Sequence, residues 1–252
     1  MERVKRKVLQ GVTNIVRFNW QFYVIAIIAI AGLQFAKQYL PPSFQVFADI
    51  FLLLSTLGIL VSLAVSLYIY DLSNLYALDW LTVSSPQQIA NINAGFDETS
   101  ALLMQKYPTA NLQVFDFYDP AKHTEISIER ARKAYPTYPG TKTIRTSAIP
   151  LKEKSTDVVF LILAAHEIRN AEERIVFFKQ LKNALTPTGK IIVVEHQRDL
   201  ANFFAYNFGF FHFHSKATWK KAFNDSGLHL EKEFKITPFI STFILNKNGI
   251  TS

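Results

Sequence analysis

Two long apolar stretches open the chain. Residues 20–36 read WQFYVIAIIAIAGLQFA without a charge, and residues 48–70 read ADIFLLLSTLGILVSLAVSLYIY with a lone Asp49 near the start. A helix needs ~20 mostly apolar residues to span a bilayer, with a range of about 17–25. The first run sits at the short end of that range and the second fits it comfortably. Beyond Pro86 the period changes. Apolar runs of strand length (89–94, 111–115, 141–146, 156–164, 190–195, 228–235 and 239–245) alternate with amphipathic stretches of helix length (99–107, 125–135, 172–185 and 216–226). The run TDVVFLILA at 156–164 has no polar break, as expected of a strand covered on both faces. Alternation at this spacing predicts a doubly wound α/β sheet. Residues 71–85 (DLSNLYALDWLTVSS) are amphipathic and aromatic. They predict a connecting helix that rests at headgroup level or caps the sheet. The expected organisation is therefore an anchor over 1–70, a connector over 71–85 and a folded domain over 86–252.

Charge changes this picture by giving it a direction. The 252 residues carry a formal net charge of +7. Arg3, Lys5, Arg6, Lys7 and Arg17 crowd the segment before the first apolar run, whereas the link between the two runs holds only Lys37. The positive-inside rule then places both chain ends in the cytoplasm, as a two-pass protein of the inner (cytoplasmic) membrane. Trp20, Tyr23, Tyr39, Tyr68 and Tyr70 lie near the ends of the runs, where interfacial aromatics belong. Ala29-Ile30-Ala31 faintly resembles a signal-peptidase site, but the second apolar run argues against a cleaved leader. A buried helical hairpin in a soluble protein is the other reading. Gly32/Ala36 and Gly58/Ser62/Ser66 form small-residue strips, which would pack the two helices together or join two protomers as a homodimer. The basic residues of the later domain are scattered, so nucleic acid is not an expected partner. Zero Cys excludes disulfides and thiol catalysis.

Candidate chemistry begins at IANINAGFDETSALL, residues 89–103. An apolar strand stops at Gly95 and a helix begins near Thr99, which is where an open α/β sheet holds a nucleotide-like ligand. Of a G-x-G-x-G turn only Gly95 remains, because Asn93 and Asp97 take the other two places. Asp116 follows about 20 residues later, at the end of the second strand. An acid there accepts hydrogen bonds from ribose hydroxyls; a turn or capping role is the plain alternative. Asp97 and Glu98 either meet a ligand ammonium or stabilise the helix dipole.

In order along the chain, IANINAGFD, LQVFDF, SAIPLKEKSTDVVFLILAAHEI and LKNALTPTGKIIVVEH resemble successive motifs of the class I S-adenosylmethionine-dependent methyltransferases, and the closing helix and strand pair resemble that family's antiparallel end. The resemblance covers about residues 86–250. It implies a mostly parallel seven-stranded Rossmann-like sheet, with S-adenosylmethionine as donor and S-adenosylhomocysteine as product. It places Asn93, Ala94, Gly95, Phe96 and Asp97 at the first-strand turn of the cofactor site. Asp116 and Phe117 follow the second strand, Thr146 and Ser147 the third, and Ala164 stands at the end of the fourth. The chain departs from the family at the two lost glycines and at the missing acid after strand three.

Methyl transfer asks the protein to align a nucleophile, exclude water and, for a hydroxyl, remove a proton. Candidates stand at the ends of strands four and five: His166 and Glu167 in AAHEIRN, then Glu195 and His196 in VVEHQRD. His166 is the first choice of base, with His196, His212 and His214 as alternates; histidines so placed also commonly bond only to loop carbonyls. No ligand motif among these groups supports a metal. Glu195, Arg198, Tyr206, Phe211, His212 and His214 are the candidates for contact with the acceptor. The aromatic run Phe203–Phe213 shapes an apolar acceptor pocket or packs on the sheet. Together these readings describe a membrane-anchored methyltransferase of a small lipophilic acceptor, with oxygen favoured as the methylated atom. The alternative is a degenerate, catalytically silent binding or scaffold module at the membrane.

Overall fold

The computed structural model describes residues 6–123 and 125–247; Arg3 and Lys5 of the basic leader lie outside the described residues. Seven strands form one sheet in the order β3-β2-β1-β4-β5-β7-β6. They are β1 (Gln88–Asn93), β2 (Asn111–Asp116), β3 (Lys142–Thr143), β4 (Thr156–Ile162), β5 (Leu185–His196), β6 (His229–Thr237) and β7 (Ile240–Asn246). The first five run parallel, and β7 inserts antiparallel between β5 and β6. The strand order reverses between β1 and β4, which leaves a crevice beyond their carboxyl ends.

The expected strands explain the core. Along β1 the side chains alternate, so Ala90, Ile92 and Ala94 join one cluster while Ile89 joins the other. On the first face α6 (Ala171–Ala184) and α8 (Lys216–Asp225) bring Phe177, Phe178, Trp219 and Phe223. Each helix starts at a side-chain cap: Asn170 accepts from Glu173 N and Ser215 from Thr218 N. On the second face α4 (Ser100–Lys106) brings Leu103.

Four expectations need correction. The stretch 71–85 is not a helix. After a π-helical turn at Tyr68–Leu72 the chain runs through turns that bury Leu75, Leu78 and Leu81 against the second face. These three leucines serve the sheet core, so no bilayer-facing stripe is left for a surface helix. Ile69 is fully buried in the same cluster, and the expected boundary at residue 86 thus falls inside one core. Strand three is two residues long, not six, with pairing limited to Phe115–Lys142 and Asp116–Thr143. Strand five starts earlier, at Leu185. The step from Thr156–Leu185 to Val158–Lys190 absorbs the Thr186–Gly189 turn as an irregularity. A Cβ on Gly189 would stand 2.8 Å from the Thr156 carbonyl oxygen, which is why the turn keeps that glycine.

Before the sheet lie α1 (Gln10–Phe18), α2 (Trp20–Ala36) and α3 (Pro42–Leu67). The two spans Trp20–Tyr39 and Pro42–Leu72 are long and apolar enough to cross a membrane. No residue of α2 is buried, and in α3 only Ala48, Leu52 and Ser66 are. The core helices of a soluble protein would bury an apolar face; these expose Ile25, Ile27, Ile28, Phe47, Leu53 and Leu54. The α3 strip does not serve only the hairpin. Asn207, just after α7 (Leu200–Tyr206), lies where a Cβ on Gly58 would be, at 3.1 Å, while Gly32 has open space beside it.

Candidate active site

The crevice at the ends of β1 and β4 holds a cavity of about 220 Å³. Its floor is Ile92, Asn93 and Ala94 of the first strand with Ile162 and Leu163 of the fourth. Leu163 sits at φ 54, a left-handed conformation that costs a branched residue energy and marks the strand end as constrained. The roof is α1 with α5 (Ile126–Ala134), and Tyr70, Tyr76 and Glu98 close the side.

The roof is tied down residue by residue. Asp71 accepts from Gly11 N (2.7 Å) and Val12 N (2.8 Å), so a carboxylate from the turn after α3 caps α1. A Cβ on Gly11 would stand 2.3 Å from that of Tyr70, so only glycine allows this approach. Tyr135 donates to Asn14 Oδ1 (2.9 Å) and Arg130 to the Phe18 carbonyl (2.7 Å). Phe96 stacks edge-on against Phe18 at 5.8 Å. None of this was legible before folding. Residues 10–18 showed only basic charge, and the partners lie 59 to 121 positions away.

At the first-strand turn Asp97 takes a capping role. Its Oδ1 accepts from Thr99 N and Ser100 N, both at 2.9 Å, and so holds the start of α4. Its Oδ2 is buried and has no partner among the described residues. Asn93 shows the same division: Oδ1 accepts from Gly95 N (3.1 Å), and Nδ2 is buried without a partner. Unpaired buried polar atoms are costly; Asn93 and Asp97 both border a small pocket of about 10 Å³, and of the two only Asn93 also lines the main cavity. Gly95 has φ +99, and a Cβ there would meet Tyr118 and Ile128 at 3.0 Å. Asn91, which sequence reasoning missed, supports the turn through Thr99 Oγ1 (3.0 Å) and Ser100 Oγ (2.8 Å). Glu98 points away from the turn, toward Arg6 (2.7 Å) and the Tyr76 hydroxyl (2.8 Å).

Asp116 is buried at the end of β2, as expected, but it is engaged. Its Oδ1 accepts from Tyr118 N (2.8 Å) and its Oδ2 pairs with Arg132 of α5. The Arg132 guanidinium also lies 4.5 Å from the Tyr118 ring centroid. A ribose would have to displace it. The other expected cofactor contacts are dispersed. Phe117 packs on Phe177 in the core, Thr146 Oγ1 bonds to Glu173, Ser147 is exposed, and Ala164 N donates to Glu195 (3.1 Å).

The ends of β4 and β5 bring together His166, Glu167 and Glu195, but not the expected His196. His166 Nδ1 lies 2.7 Å from Glu195 Oε2, and its Nε2 lies 3.2 Å from Glu167 Oε1. Glu195 also accepts from the backbone N of His166 (3.2 Å). Glu195 is fully buried, and neither it nor His166 lines the cavity. Burial pushes the His166 imidazole down, but Glu195 and Glu167 outweigh it and raise it to about 10. Burial pushes Glu167 up, and the bonds from His166 and His212 more than reverse this, leaving it well below the carboxylate range. Glu167 is the member that lines the cavity. His212, with Nδ1 2.9 Å from Glu125, joins from the far side. His166, Glu167 and His212 place their ligand atoms within 4.8 Å of one another. The Arg169 guanidinium lies against both ring nitrogens of His212, and the group is tied together as an ion-pair network.

The remaining candidates lie elsewhere. His196 is buried between Asn202 (Nδ1 to Oδ1, 2.9 Å) and Tyr70 (Nε2 to the hydroxyl, 2.9 Å), and burial, followed by the charge of His166, lowers it to about 4. It is neutral and fixes Tyr70. His214 is lowered to about 3 by burial and Arg174, its hydrogen-bond partner at 2.9 Å. Arg198 donates to the Phe213 (2.9 Å) and Phe211 (2.7 Å) carbonyls and so closes its own loop. Tyr206 and Phe211 are not cavity residues; the first packs toward α3 and the second is exposed.

No family model and no curated protein matches the chain. Solved structures do. The PH0226 protein of Pyrococcus horikoshii OT3 aligns with a TM-score of 0.50 and 13% identity over 69% of this chain and 87% of its own. Human N-acetylserotonin methyltransferase, solved with SAM, aligns at 0.50 and 14% over 75% and 55%. The pyocyanin biosynthetic protein PhzM aligns at 0.50 and 10% over 68% and 53%. The chain spans about half the length of the last two. At such identities the shared property is the architecture: this chain has the fold of the class I S-adenosylmethionine-dependent methyltransferases.

Proposed function

We propose that the chain is an S-adenosylmethionine-dependent methyltransferase anchored in a membrane by α2 and α3, with its sheet domain in the cytoplasm. The observation that carries this reading is the pair of unpartnered buried atoms at the first-strand turn, Asp97 Oδ2 and Asn93 Nδ2. A carboxylate oxygen suits an ammonium, and an amide N–H suits a carboxylate; the methionine end of the donor has both. Asp97 and Asn93 would hold that end, and Asp116 the ribose once Arg132 withdraws. The donor supplies an electrophilic methyl group already activated as a sulfonium.

The rest falls to the chain. The acceptor is a small lipophilic molecule methylated on oxygen. The cavity wall is largely apolar and aromatic (Ile15, Phe18, Tyr70, Ile92, Phe96, Ile162), which suits such a molecule. Phe18, which lines the cavity, lies two positions before Trp20, where the first span begins, so one cavity wall is within one helical turn of that span. His166 accepts the hydroxyl proton at Nε2, beside Glu167, and Glu195 holds the imidazolium that forms. Because this imidazole binds its proton up to about pH 10, the active neutral form grows with pH throughout the physiological range.

The test is transfer of labelled methyl from the donor to lipophilic phenols by the full chain in lipid nanodiscs. The expected kcat/KM rises about tenfold per pH unit above pH 7 and levels off near 10, and His166→Gln abolishes the rise. A flat profile between pH 7 and 9 would remove His166 as the base. A second reading has its own observation. The cavity of about 220 Å³ is below the ~300–1,000 Å³ of ordinary ligand sites, and the ribose acid is already paired. Donor binding without transfer to any acceptor would favour the silent binding module.

A further inference from the structure

The aromatic segment after β5 does not line the cavity, and it is unusual in another way. From Leu200 to Phe211 it reads LANFFAYNFGFF without a charge. Leu200 (76%), Phe204 (69%), Phe208 (87%) and Phe211 (57%) are exposed. An uncharged patch of this kind on a protein surface marks contact with something apolar. Its backbone is α7 followed, after a break at Asn207 (φ 49, ψ −122), by a 3₁₀ stretch at Asn207–His212, so most of its backbone polar groups lie in helical turns, as contact with lipid demands.

The neighbour identifies the partner. α7 packs along α3, with Tyr206 close to Ser66 and Asn207 on Gly58. Gly58 lies sixteen residues beyond Pro42 in α3, about 24 Å along the axis at 1.5 Å per residue. The apolar core of a bilayer is about 30 Å thick. With Pro42 at the outer edge of that core, the tip of the segment sits about 6 Å inside its cytoplasmic edge, the depth of an in-plane element. We infer that Leu200–Phe211 inserts into the cytoplasmic leaflet beside α3, with Leu200, Phe204, Phe208 and Phe211 facing acyl chains. This rests on the membrane reading of α2 and α3. It gives the sheet domain a second hold on the bilayer, through a segment that enters from its C-terminal half.

The chain has no native cysteine, so single labels are clean. Full-length protein carrying Phe208→Cys, Leu54→Cys or Lys220→Cys, each with an environment-sensitive fluorophore, is placed in phosphatidylcholine vesicles containing lipids spin-labelled near the headgroup or mid-chain. The expected result is a blue-shifted Phe208 label quenched at least twofold more by the shallow spin label than by the deep one, a deeply quenched Leu54 label and an aqueous Lys220 label. A quenched Leu54 label with an aqueous Phe208 label would overturn the insertion and leave the anchor standing. Aqueous labels at both would overturn both. A blue-shifted Phe208 label that no lipid quenches would mean that a second copy of the chain covers the patch, and would overturn the insertion as well. Gly58→Leu, which fills the place of Asn207, should reduce the Phe208 quenching while leaving that of Leu54 unchanged.

Discussion

Asp116 and Arg132 form the pair on which the cofactor site turns. Asp116 stood where sequence spacing put it, since a strand end about 20 residues after a glycine turn is fixed by the length of one helical crossover. Its occupant was not legible, because Arg132 sits in a mixed-charge helix face (ERARKA) that reads as solvated. Only α5, laid across the crevice, turns that arginine inward. Arg132 thus competes with any ribose for Asp116. Arg132→Gln should raise affinity for S-adenosylhomocysteine by about three- to tenfold, as loss of a part-exposed ion pair frees the acid. Equilibrium binding in detergent measures it; a weaker variant would mean that Arg132 itself contacts the ligand.

At the scale of elements, the strands and helices of the sheet were legible because burial sets their period. The TDVVFLI run could only be a covered strand, and LKNAL only the end of a packed helix. Two elements escaped. The first is α1, whose nine residues carry no apolar run; Asp71, Tyr135 and Arg130 hold it in place from distant positions. The second is the stretch 71–85, where leucines that suggested an amphipathic helix were spaced to fill the core beneath turns. α1 is a wall of the cavity and not a mere leader to the anchor. Gly11→Val should push α1 off Tyr70 at a cost of about 2 kcal/mol and weaken ligand binding. Faster trypsin cleavage at Arg17 with a lowered Tm would register the detachment; unchanged values would mean that α1 is only loosely laid on the site.

Across the whole molecule, the N-terminal helices and the sheet are joined in one core. The core runs from Ile69 without a break, and the cavity takes its roof from the residues just before the first span. Arg17, Arg130 and Lys133 gather around Trp20 at the start of α2, where anionic headgroups would meet them. A lipophilic acceptor could pass from the leaflet to Phe18 without crossing water. All of this depends on a donor seated at the first-strand turn. The most direct measurement is calorimetry with S-adenosylhomocysteine on the detergent-solubilised full chain and on Asp97→Asn. That variant keeps an oxygen to cap α4 and replaces the unpaired one with an N–H. The account predicts one saturable site in the natural chain and a loss of ~1–3 kcal/mol in the variant, with Tm unchanged. No heat at high ligand, or equal affinity in both proteins, would contradict it.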